Sequence, residues 1–314
     1  YDQFCASMLA FVEWRQQDLA FPERLTRLLH IPPAPATETE LEALRTELRT
    51  RLTRMGYPGE LVEQCAEWDS RNRVPPDQVA GVLAQLMDEA WDRTQARVLP
   101  IPAPKSDGMK VQGVSGVHFN ARCNYLKRTV ELNIDPVLTR PGLKHLTVHE
   151  CYPGHYLQFK LRQVWFKERQ AAADSLFSTV NNASSSVFEG VGDNGLRMLD
   201  WYESDDDHVQ ALLNRYRAGI VTAAAWRLHA LGWQADSVRD WLRSHTLVGG
   251  EGWVANRMGF ITAPARSVLI WSYWWGEQVV APAWERVPQP RRREFYEFMY
   301  RGLHSVKSIA MFEA

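Results

Sequence analysis

The sequence predicts a mainly α-helical chain with one small β-sheet beside a helix that carries a metal-ligand pattern. Three observations predict it: capped amphipathic runs ahead of residue 104, one stretch of strand-like alternation between Gly113 and Ile134, and a dense His/Glu cluster soon after it. Helices and strands differ in the period at which apolar residues recur, so the three segments can be told apart by spacing.

The first clear helix follows Thr37. The run Thr37-Glu38-Thr39-Glu40 places a hydroxyl at a cap and acids in the first turn, and Leu41, Leu44 and Leu48 then recur at three- and four-residue spacing. Pro75-Pro76 precedes a second helix from about Asp77 to Arg97. Leu99-Pro100-Ile101-Pro102-Ala103-Pro104 is a stiff connector, because each proline fixes its own dihedral. The main boundary falls there, dividing an N-terminal helical region, 1–104, from a second region, 105–314, that carries the chemistry.

Past the connector, Val117-His118-Phe119 and Thr129 to Ile134 alternate with period two and predict strands of a small sheet. An edge strand next to a metal helix suits an enzyme that binds substrate in extended form, since unpaired backbone groups supply register; it equally suits a sheet that only covers helices. His118 and His145 are open to either a ligand or a structural reading.

From His149 to Gln158 the chain reads His-Glu-Cys-Tyr-Pro-Gly-His-Tyr-Leu-Gln. Two imidazoles and a carboxylate so close together match a zinc site with protein ligands and a separate carboxylate to take a proton from water. The second His follows the first by six residues, and at about 100° per residue an unbroken helix would turn it roughly 120° away. Pro153-Gly154 predicts a break that re-aims His155. A surface helix ending on Pro-Gly is the plainer alternative, and a third ligand would tilt the balance against it. Glu189 supplies one, with Asp193 one turn later on the same probable helix, placed to hold an imidazole from behind. Asp193 and Glu203 are the next carboxylates in line as ligands.

The run His-Glu-x-x-Pro-Gly-His-x-x-Gln, followed by Phe188-Glu189-Gly190, resembles the bacterial proteins catalogued as domain of unknown function (DUF) 885, grouped with the gluzincin zinc peptidases. The resemblance runs from about Val111 to the end. It implies a gluzincin-like helical metallopeptidase in which His149, His155 and Glu189 hold Zn²⁺ and Glu150 is the general base. A Tyr-x-x-Gly element matches Tyr273-Trp274-Trp275-Gly276 and implies that Tyr273 faces the site as a catalytic donor. The chain departs from the family where Glu189-Gly190 is followed by Val191-Gly192-Asp193 instead of Trp-Ala-Leu. It departs again around His229, where Gly232-Trp233 is kept but an acid is lost.

Composition bounds the rest. At 314 residues with 45% hydrophobic and 23% charged content, the chain can bury a sizeable core, and disorder as the main reading is excluded. A net charge of -1 gives no electrostatic case for nucleic acid or an anionic membrane, and Arg291-Arg292-Arg293 reads as a solvated helix start. Cys5, Cys65, Cys123 and Cys151 are too few and scattered for a disulfide framework, so free thiols are expected, with Cys151 packing the metal helix. The tryptophans from Trp201 to Trp284 predict a helical core more than an aromatic cleft. Arg257 and Arg266 are candidates to clasp a substrate carboxylate. No apolar run approaches the ~18 residues of a membrane span and no signal peptide is visible. A cytoplasmic location is expected, with secreted or periplasmic as the alternative because the chain opens on Tyr1. The function predicted is zinc-dependent hydrolysis of peptide bonds, of short peptides, by metal-activated water; a zinc amidase or an inactive binding protein that kept the fold are the alternatives.

Overall fold

A capping box opens the first long helix where the sequence places it: Thr37 Oγ1 accepts from Glu40 N at 3.2 Å while Glu40 returns a bond to Thr37 N at 2.8 Å. The computed structural model describes residues 1–176 and 180–313. In it the N-terminal part runs α1 (Asp2–Gln16), α2 (Phe21–Arg24) with a π-helical turn Leu25–Leu29, α3 (Glu38–Arg54), α4 (Leu61–Arg71) and α5 (Val79–Arg97). Three strands follow, β1 (Lys110–Val114), β2 (Ala121–Asn124) and β3 (Thr129–Asn133). The metal-pattern helices are α6 (Arg140–Glu150), α7 (His155–Lys167) and α8 (Ser185–Asp193). The chain closes with α9 (Gly195–Met198), α10 (Asp205–His229), α11 (Ala235–His245), α12 (Gly250–Thr262), α13 (Pro264–Glu285), α14 (Arg292–Arg301) and α15 (Val306–Ile309). The fold is mainly α with a small sheet, as the sequence predicts.

The sheet has the order β1-β3-β2, with β1 parallel and β2 antiparallel to β3. β3 is central because four of its five residues, Val130 to Asn133, are buried. Val117-His118-Phe119, expected as a strand, lies in the loop between β1 and β2. The Val117 carbonyl is taken by side chains, accepting from Asn133 Nδ2 and Asn256 Nδ2 at 3.2 Å each, so it is not available to a ladder.

Two hydrophobic clusters fill the interior. One joins α5 and β3 to α6, α7, α8 and α14; the other joins α1 to α4 with α10 to α12. α13 serves both, giving Val280 and Ala283 to the first and Val268, Trp271 and Trp274 to the second. Each cluster draws residues from both sides of residue 104, so the division at the Leu99–Pro104 connector is one of sequence, and Leu99 and Ile101 are themselves buried. Trp201 and Trp271 are fully buried, in keeping with a tryptophan core, whereas Trp233 is exposed.

Two close approaches position the site. Gly190 of α8 meets Gly276 of α13 so tightly that a Cβ on Gly190 would lie 2.3 Å from the Gly276 carbonyl oxygen. α6 is pinned to α10 by the buried Lys144, whose Nζ lies 2.7 Å from Asp207 and 2.9 Å from Glu203. With both charges paired and hydrogen-bonded, that burial is tolerated, and it fixes the orientation of the helix that ends in His149 and Glu150. No helix among the described residues is long and apolar enough to cross a membrane.

Candidate metal centre

The break between α6 and α7 occurs where Pro153-Gly154 predicts it. α6 ends at Glu150 and α7 begins at His155, with Gly154 as its N-cap. Gly154 crosses so close beneath the end of α6 that a Cβ there would sit 1.9 Å from the His149 carbonyl oxygen, and only glycine fits. The second imidazole therefore starts a new helix and turns back toward the first, their ring centroids 4.6 Å apart.

Glu189 arrives from α8 to complete the group. Its Oε2 lies 3.1 Å from His149 Nε2 and 3.5 Å from His155 Nε2, and the three donor atoms all fall within 4.8 Å of one another. A tetrahedral ion with bonds of about 2.0–2.1 Å has ligand atoms roughly 3.4 Å apart, so two imidazoles and a carboxylate at these separations fit a zinc ion. All three residues are buried.

Each imidazole is held from behind. Asp193 Oδ1 lies 3.0 Å from His149 Nδ1, and Gln158 Oε1 lies 2.9 Å from His155 Nδ1. The Gln158 amide is oriented in turn, because its Nε2 donates to the Phe188 carbonyl at 3.2 Å. With acceptors behind them both Nδ1 atoms donate, and both Nε2 atoms face the carboxylate of Glu189. Phe188 stacks on His155 with centroids 4.2 Å apart and planes 10° apart. Gly192 makes room for His149, since a Cβ there would lie 2.6 Å from its Nδ1.

The electrostatics suit a cation. Burial opposes charge on Glu189, yet hydrogen bonds from His149 and His155 outweigh it and pull its carboxyl down to about 2. Burial likewise opposes ionisation of Asp193, and bonds from His145 and His149 hold its carboxyl well below the usual range. His149 is driven the other way: desolvation disfavours its charge, but Asp193, Glu189 and Glu150 prevail and raise its pKa. Two ionised carboxylates, Glu189 and Asp193, thus stand against the imidazoles.

Glu150 is buried and stands outside the donor group. Its Oε2 accepts from Cys123 N at 2.6 Å, which ties the carboxylate to the outer edge of β2. Tyr273 of α13 stacks near His149, ring centroids 6.3 Å apart. Burial first, then Glu189, Glu150 and Asp193, raise its pKa, so the phenol keeps its proton and has a hydrogen to donate.

The structure brings together His149, Glu150, His155, Glu189, Asp193 and Tyr273. It does not bring Glu203, which bonds Lys144 and Arg93 on the flank of α6 and is no candidate ligand. His118 is exposed on its loop. His229 is a half-buried histidine, stacked on Phe21 at 4.8 Å with Nε2 2.7 Å from the Ile261 carbonyl. His145, one turn before His149, reaches Asp193 at 3.5 Å. Gln158 and Phe188 carried no role in the sequence reading, although Gln158 stands one turn after His155 and Phe188 directly before Glu189. All four cysteines are free; Cys151 is buried, and desolvation pushes its thiol pKa up, as befits packing.

No family model matches the chain, and no curated protein does. Among solved structures the chain is similar to one described as "the putative lipoprotein from Colwellia psychrerythraea", with 12% identity and a TM-score of 0.65 over 97% of this chain and 53% of that one. It is also similar to "a putative lipoprotein of unknown function from Shewanella oneidensis", with 14% identity and a TM-score of 0.65 over 96% of this chain and 62% of that one. The chain therefore spans less than two thirds of the length of each, and what it shares with them is the fold.

Proposed function

We propose that this chain is a gluzincin-like zinc peptidase, a diverged relative of the DUF 885 proteins. One observation carries the reading: His149, His155 and Glu189 converge at zinc spacing while Glu150, the residue after the first His, is held just outside them by β2. A bound Zn²⁺ would supply Lewis acidity for a carbonyl and bring the pKa of water toward neutrality. Glu150 accepts the proton of the attacking water, its position fixed by the Cys123 N–H, and can pass it to the leaving amine. Tyr273 donates a hydrogen bond from its hydroxyl to the carbonyl oxygen as negative charge gathers there. Ala121, two residues before Cys123 on β2, turns its backbone groups to the same outer side, so an extended peptide can add to that edge. The description of the structural neighbours as lipoproteins favours a secreted or membrane-anchored location over a cytoplasmic one.

The test is metal analysis with a peptide-library screen. The purified protein is expected to carry about one zinc per chain and to cleave peptides until a chelator removes the ion, with His149→Ala, His155→Ala and Glu189→Ala each failing to retain it. Stoichiometric zinc in His155→Ala would sink the six-residue ligand spacing. A zinc-loaded protein that cleaves non-peptide amides but no library peptide is an amidase instead.

A further inference from the structure

Arg162 is a buried cation that no acid neutralises. It is 5% exposed, and among the described residues no carboxylate comes within ion-pair distance of its guanidinium. Its Nη2 donates to the Gly302 carbonyl at 3.3 Å, and its Nε has no hydrogen-bond partner among the described residues. The buried phenol beside it, Tyr300, does not supply a counter-charge: burial raises its pKa well above the ordinary value, and its hydroxyl donates to the Pro153 carbonyl at 2.7 Å. Burial brings the Arg162 pKa down only to about 10, so the guanidinium is charged at neutral pH. Elsewhere this chain pairs its arginines freely, as Arg51 with Asp205 and Arg243 with Glu251. Arg257 and Arg266, candidates from the sequence to clasp a substrate carboxylate, are engaged otherwise. Arg257 gives Nε to the Asn256 side chain at 3.1 Å and Nη2 to the His118 carbonyl at 3.3 Å, and Arg266 packs over Phe260. An unpaired charge costs free energy to bury, so Arg162 stands out.

Its place is set by the helix that carries a proposed ligand. On α7, His155, Gln158 and Arg162 follow one another at three- and four-residue spacing, which puts them along one face. Phe188 of α8 bridges the two ends of that row: its ring stacks on His155 with centroids 4.2 Å apart, and its centroid lies 5.6 Å from the guanidinium carbon of Arg162. The two separations keep the charge within about 10 Å of the His155 ring, a range over which a buried charge is felt strongly because little water lies between to screen it. His155, Glu189 and Arg162 are all buried. The ionised Glu189 and Asp193 draw a cation into the centre, and Arg162 is a charge of the opposite sign on its far side.

We propose that Arg162 supplies a fixed positive charge behind His155, which loosens the hold of the centre on Zn²⁺ and favours the negative charge that develops when water adds to a carbonyl there. Arg162 touches neither the ligand atoms nor the substrate and acts through its field and through Phe188, so it is a positioning residue. At an effective dielectric constant of about 20 to 40, a unit charge roughly 10 Å from a dication changes its binding on the order of 10-fold to 100-fold. The inference rests on the zinc peptidase reading above, and its test reads metal affinity apart from hydrolysis.

Competition against a chelator of known zinc affinity is run on the wild type, Arg162→Met, Arg162→Gln and Arg162→Lys, with the melting temperature of each. Methionine fills the space of the stem without charge, and lysine keeps the charge without the fork. Arg162→Met is expected to bind zinc on the order of 10-fold to 100-fold more tightly than the wild type or Arg162→Lys, while kcat on a cleaved peptide falls by roughly 10-fold. An arginine that only packs predicts the opposite sign, because a loosened Phe188 frees His155 and zinc retention falls together with turnover. Zinc held equally or more weakly by folded Arg162→Met and Arg162→Gln overturns the inference, and so does failure of both to fold, which would make the charge a requirement of the fold. Tighter zinc in the neutral variants of a protein that hydrolyses no peptide leaves this inference standing and sinks the peptidase reading. A wild type that binds no zinc overturns both.

Discussion

The candidate metal centre is assembled from two regions that work by opposite means, the α6–α7 corner and the α8–α13 crossing. At the corner His149, Glu150, His155 and Gln158 lie within ten residues of sequence, and a local break brings them onto one point. At the crossing Glu189, Asp193 and Tyr273 come from helices far apart in the chain, which meet because neither Gly190 nor Gly276 has a side chain to hold them apart. The corner needs one special backbone position; the crossing needs two interiors fused at a distance that any Cβ would forbid. In the proposed division of labour the corner carries the base and two ligands, while the crossing carries the third ligand and the donor to the developing charge.

That division is broken most severely through Glu150. Glu150→Gln keeps the shape of the side chain and its bond from Cys123 N, so zinc content should hold while kcat falls by on the order of 10²-fold to 10⁴-fold. Near-normal turnover would remove Glu150 from the mechanism and with it the main role assigned to the corner. The matching change at the crossing is Tyr273→Phe. It deletes a hydroxyl and leaves the ring against His149, and kcat should drop by roughly 10-fold to 10³-fold with thermal stability and zinc nearly unchanged. Unchanged kcat would return Tyr273 to a packing role, and a loss of stability in proportion to activity would mark a buried structural hydroxyl.

The glycines sharpen the comparison on stability. In Gly154→Ala the new methyl would meet the His149 carbonyl at 1.9 Å, and in Gly190→Ala it would meet the Gly276 carbonyl at 2.3 Å; both obstacles are backbone and cannot rotate away. Each should cost about 1–3 kcal/mol or more, read from thermal or urea unfolding. The corner variant should lose zinc retention along with stability, because His149 and His155 flank the clash. A Gly190→Ala protein as stable as wild type would mean that α8 and α13 can slide apart without consequence, and the crossing would no longer explain where Glu189 sits.

These same residues show how much was legible beforehand. Capping chemistry and apolar spacing announce α3 and α5, and Pro153-Gly154 announces the break, because each signal and its consequence lie within a few residues. Glu189 was visible through its one-turn relation to Asp193, and Tyr273 only through family resemblance. The contact of Gly190 with Gly276 had no local signal at all, since a glycine that admits a distant helix looks like any other. Val117 to Phe119 misled for a related reason: alternation reports side-chain direction, not whether Asn133 and Asn256 will take the carbonyl a strand would use. Gln158 stood in the motif but needed its bonds to His155 and Phe188 to acquire a role.

The smallest expected effects separate the two imidazoles by what stands behind them. His149 leans on the ionised Asp193 and His155 on the neutral Gln158, so the crossing backs one ligand with a charge while the corner backs its own with a dipole. Asp193→Asn can still present an oxygen to Nδ1 and thus removes the charge while sparing the tautomer; Gln158→Ala removes the acceptor altogether and leaves the His155 ring to the stacking of Phe188. Loss of such a partner typically weakens metal affinity about 10-fold to 100-fold. Asp193→Asn should lie toward the upper end, because an anion behind the ring makes His149 a stronger donor to a cation, and Gln158→Ala toward the lower end, because Phe188 still constrains His155. Competition against a chelator of known zinc affinity reads both. If Gln158→Ala weakens zinc binding more than Asp193→Asn, orientation matters more than charge at this centre, and the corner's ligand is the one that depends most on its support.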